Sequence, residues 1–157
     1  MTANGAFFSI SFLAIFIGMS LGGGDPVAQL RAFVLWGLGG MGISSAIRHI
    51  FLAGALRGER SNLEFANETF FEWEAGFANL AFGIVGIVAA LGHWGPRAYA
   101  VVAIAYSIYL GGAAITHWLA GWQEGTLRRS IRFGAFTLVI IGASAWRVVG
   151  GLSAIGN

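Results

Sequence analysis

Apolar runs of membrane length, nearly free of charge, constrain this chain more than any other feature. They recur along its 157 residues, of which 57% are hydrophobic and 10% charged. A soluble domain carries roughly 25% charged residues, and apolar stretches of about 18 or more mark transmembrane helices. The fold class read from this pattern is all-α: an integral membrane bundle of five helices, or four if the first run is cleaved or peripheral. An outer-membrane barrel would need roughly ten-residue segments of alternating polarity, a pattern absent from this chain.

The remaining composition closes several routes to chemistry. There is no cysteine, so disulfides, thiolate metal sites and cysteine nucleophiles are excluded. Every basic residue is arginine, so Schiff-base chemistry and a P-loop lysine are excluded as well. No basic run is dense enough to form a phosphate-binding surface, and nucleic acid is therefore not an expected partner. The expected surroundings are a lipid bilayer, with self-association or docking to a larger membrane complex through small-residue faces.

Taken in order, the helices are expected over about residues 5–22, 26–55, 62–91, 97–120 and 130–151, as one domain. The first run lacks a basic leader and a convincing cleavage site, and is read as a helix that is kept. It stops at Gly22, Gly23 and Gly24; Asp25 then reads as an N-cap and Pro26 as the first helical residue. The second helix is glycine-rich between Trp36 and Gly42. Its Gly40 and Ser44 form a small-xxx-small face, and it ends after Arg48 and His49. Ser61 and Glu64 read as a capping box for the third helix. The short turn from Gly92 to Arg97 makes helices three and four antiparallel neighbours.

Arginine placement sets the expected orientation. Arg57, Arg60, Arg128, Arg129 and Arg132 fall on one side, Arg31 and Arg97 on the other. By the positive-inside rule this places the N-terminus in the cytoplasm and the C-terminus outside a bacterial inner membrane. Trp118 and Trp122 fall where an interfacial aromatic belt belongs. Arg147 is read as snorkelling outward from the last helix.

The stretch from Phe71 to Gly83, FEWEAGFANLAFG, resembles a family of small, uncharacterised bacterial multi-pass membrane proteins with the pattern F-Q-x-E-x-G-x-A-N-L-x-x-G. The run from Gly42 to His49 and the segment GAAITH ending at His117 are similar to that family too. The likeness covers about residues 31–117, with Glu72 in place of the usual amide. It implies that His49, Glu74, Asn79 and His117 are the positions of interest, and it implies no reaction.

Topology independently places His49, Glu74 and His117 at a similar shallow depth on the cytoplasmic side. Two imidazoles and a carboxylate suit a divalent metal or iron, and His49 with His117 suits axial ligation of a haem. The same groups suit a proton relay or a small-ligand site, or they hydrogen-bond one another and fix helix packing. No two-ligand motif lies on a single helix. Periodicity separates the acids: Glu72 and Asn79 share a face with Gly76 and Gly83, whereas Glu74 points about 200° away from Glu72. The small-residue face favours Glu72 as inward and the family pattern favours Glu74. Tyr106 and Tyr109 read as interfacial or core residues. Three functions follow: proton-coupled or small-ligand binding and transport, a metal or haem redox protein, and an accessory subunit.

Overall fold

The computed structural model describes residues 3–52, 62–123, 125 and 127–156. Five helices and no strand occur among them. Helix α1 is Ala3–Ser20, and α2 covers residues 26–52. Helix α3 is Asn62–Leu91, α4 is Pro96–Gln123 and α5 is Leu127–Gly156. Four helices are long and apolar enough to cross a membrane, with candidate spans at Pro26–Phe51, Phe70–Leu91, Pro96–Gln123 and Gly134–Gly156. Helix α1 has 18 residues, about 27 Å at 1.5 Å per residue, against a hydrocarbon thickness of about 30 Å.

Local chemistry accounts for the turns. Gly22 and Gly23 have φ values of 102° and 59°, a region open to residues without a Cβ. The Asp25 carboxylate then accepts from Val27 N–H at 2.9 Å, with Pro26 opening α2, so the predicted cap forms. Ser61, the side chain of Glu64, and the predicted exit of the second helix at Gly54, Arg57, Gly58, Glu59 and Arg60 lie outside the described residues.

Helix α2 is the axis of the bundle and packs against all four other helices. More than half of its span is buried (56%), against a third or less in the other three. It is not a uniform α-helix: Phe33–Gly39 and Arg48–Leu52 are π-helical, separated by α-helical Gly40–Ile47. In the first π segment Gly37, Leu38 and Gly39 are buried in succession, so α2 serves two neighbours at one level. On one side Gly37 meets Gly18 of α1: a methyl on Gly18 would lie 2.6 Å from Gly37 N. On the other, a methyl on Gly42 would lie 2.7 Å from Gly83 Cα and from the Asn79 carbonyl of α3.

Small residues therefore bring the backbones together where lipid gives helices no hydrophobic reason to associate. Gly40 packs against Ala14, and Ser44 Oγ is 2.8 Å from Ser11 Oγ. The predicted small-residue face of α2 is thus its seat for α1. Helices α4 and α5 pack extensively against one another and meet α2 through its first segment, where Leu30, Phe33 and Val34 are fully buried.

Candidate functional site

At the end of α2 that leads into the α2–α3 connection, His49 Nδ1 and Glu72 Oε2 of α3 are in direct contact. The glycine one turn beyond Glu72 makes this reach short. A methyl on Gly76 would lie 2.6 Å from Ile50 Cγ1 and 3.2 Å from His49 Cβ, so only a bare backbone lets α3 settle this close to α2. The two side chains are 14% and 16% exposed, a pair at the mouth of the bundle rather than in its core.

The other ring nitrogen is also occupied: Arg48 Nη1 lies 3.3 Å from His49 Nε2. A guanidinium only donates, so Nε2 must accept, and the ring proton of a neutral imidazole then sits on Nδ1. Nδ1–H donates to the Glu72 carboxylate. Arg48, His49 and Glu72 thus form a chain of cation, neutral ring and anion.

The inward carboxylate is therefore Glu72, and Glu74 is exposed. Periodicity had placed Glu72 beside Asn79, Gly76 and Gly83, and it is this small-residue face that packs on α2. His117 is exposed on α4. Among the described residues no group of three histidine or acidic side chains is placed to hold a metal ion. The structure thus brings His49 to Glu72 and does not gather His49, Glu74 and His117 into one ligand set.

Asn79, seven residues and about 10 Å further along α3 than Glu72, is buried and belongs to a second network. Tyr106 O–H donates to its Oδ1 at 2.7 Å. Its Nδ2 donates to the Ala75 carbonyl at 2.7 Å and to Tyr109 Oη at 3.1 Å. Tyr109 O–H in turn donates to the Ala75 carbonyl at 3.1 Å. Phe82 stacks on Tyr106 with ring centroids 4.9 Å apart. The amide uses both donors and its acceptor, so this cluster joins α3 to α4 as a satisfied buried network. The tyrosines are core residues, with Tyr106 fully buried.

A model for a family of unknown function, DUF6790, matches residues 6–145. The chain belongs to the DUF6790 family. The match takes in His49, Glu72, Asn79 and both tyrosines. No curated protein and no solved structure matches it.

The opposite end of this DUF6790 bundle corrects the outward reading of Arg147. Its side chain turns inward and is 8% exposed. Nη1 donates to Gln29 Oε1 of α2 and Nη2 to the Met19 carbonyl of α1, while Nε is buried with no partner among the described residues. Snorkelling lost because α5 continues to Gly156, and because the end of α1 offers a free helix-terminal carbonyl beside it. No local signal announces this, since Gln29 and Met19 lie more than a hundred residues away in sequence.

Proposed function

We propose that this DUF6790 protein is a proton-coupled transport protein in which the His49–Glu72 pair takes up and releases the proton. The observation that carries this reading is the direct contact of two ionisable side chains from different apolar helices, flanked by Arg48. Ionisable groups within membrane helices are costly and mark ion or proton pathways. The Asn79 network and the glycine contacts join the helices without ionisable groups, in contrast to this pair. The bundle would sit in a bacterial inner membrane with its His49 end and N-terminus in the cytoplasm and its C-terminus outside. Supporting this are the arginines of the two connections at that end and the positive-inside rule.

Reconstitution into liposomes with an internal pH-sensitive dye tests the proposal. An imposed pH gradient should collapse faster than in empty liposomes, and His49→Gln and Glu72→Gln should each remove most of that excess at equal protein incorporation. Wild-type vesicles behaving as empty ones, or variants matching wild type, would contradict it.

A further inference from the structure

The turn between α3 and α4 has a histidine where helix geometry ordinarily asks for glycine. Trp94 N–H donates to the Ala89 carbonyl at 3.1 Å and His93 N–H to the Ala90 carbonyl at 3.4 Å. This is the Schellman pattern, with His93 at the left-handed C′ position, φ 53°. A side chain there is strained, and strain held by the surrounding structure is a reason to look for a role. The ring of His93 supplies one. Arg31 of α2 donates from Nη2 to His93 Nε2 at 3.1 Å and from Nε to the Ala90 carbonyl at 2.8 Å. One guanidinium therefore ties α2 to both the Ala90 carbonyl in the last turn of α3 and the turn beyond it.

We propose that Arg31 and His93 form an acid-released latch that holds this end of α2 to the α3–α4 turn. The guanidinium cannot accept a hydrogen bond, so the contact exists only while Nε2 of His93 has a free lone pair. Protonation of the ring places a donor and a positive charge against another cation, and the contact is lost. The ring is exposed, so a proton can reach Nε2 from solvent, and histidine as a side-chain type is the one that changes charge between about pH 5 and 8.

The other titratable and charged groups at this end do not replace the lost contact. Asp25 is engaged by Val27 N–H. Arg97, on the first turn of α4, is a further cation. Arg147 is held by Gln29 and Met19, and Tyr99 is buried. Release leaves Arg31 with the Ala90 carbonyl as its one remaining anchor of the two, so the turn is held less firmly to α2. This latch stands on contacts separate from those of His49 and Glu72, and its test is independent of any transport activity.

Amide hydrogen exchange of the full chain in lipid nanodiscs at pH 8 and pH 5, corrected for intrinsic exchange, reads the latch at residues 92–99. Wild type should lose about three- to tenfold of its protection on acidification, the range expected for one net hydrogen bond. His93→Gln, which accepts at either pH, should show no such acid step, and His93→Arg should exchange fast at both. Equal wild-type protection at the two pH values would overturn the latch. So would an acid step in His93→Gln equal to that of wild type, or slow exchange in His93→Arg.

Discussion

Asn79 and Arg147 show two ways of burying a polar side chain in an apolar bundle, and their substitutions should differ accordingly. Asn79 is fully satisfied, so Asn79→Ala leaves the buried Tyr106 hydroxyl without its acceptor and should destabilise by about 1–3 kcal/mol. Tyr106→Phe removes one hydrogen bond and little volume, and should cost about 1 kcal/mol, in the range of polar contacts between membrane helices. Equilibrium unfolding in mixed micelles orders the two variants. Arg147 is held by two neutral oxygens with one nitrogen unpartnered. Arg147→Ala removes two charge-assisted hydrogen bonds and the packing of a long side chain. It should cost about 2–4 kcal/mol in the same assay, with α5 loosened from α1 and α2. Stability equal to wild type would mean that the inward guanidinium only fills space.

At the scale of elements, glycines decide which helices touch. Added methyls at Gly42 and Gly83 would meet backbone of the facing helix at 2.7 Å and 3.0 Å. Gly42→Ala and Gly83→Ala should therefore part α2 from α3 and cost about 1–3 kcal/mol each. Gly134 faces open space within α5, so Gly134→Ala should be neutral or gain up to about 1 kcal/mol from helix propensity. Thermal unfolding of the three variants separates close approach from propensity. The sequence already carried much of this layer. Uninterrupted apolar runs announced the helices, Asp25 and Pro26 announced the start of α2, and the seven-residue spacing of Glu72 and Asn79 announced the face that packs. The π-helical segments of α2 were not legible, because a shift in hydrogen-bond register follows from what packs around a helix. The inward turn of Arg147 was hidden for a similar reason: its partners come from the far end of the chain. Topology gave His49 and His117 the same depth, but lateral position depends on helix crossing, which no local spacing encodes.

At the scale of the molecule, α2 joins two polar ends across a packed middle. One end carries Arg48, His49 and Glu72; the other carries Arg31 against His93 and Arg147 against Gln29 and Met19. Both histidines, one on α2 and one in the α3–α4 turn, present Nε2 to an arginine of α2. Central to the proposed function is a His49 ring whose neutral proton sits on Nδ1, directed at Glu72. Nitrogen-15 NMR of selectively labelled histidine in bilayers, with His49 assigned by His49→Gln, measures this directly. The structure predicts a neutral ring that carries its proton on Nδ1, and loss of that Nδ1 preference in Glu72→Gln. A neutral ring protonated on Nε2, or an Nδ1 preference that survives unchanged in Glu72→Gln, would contradict the account.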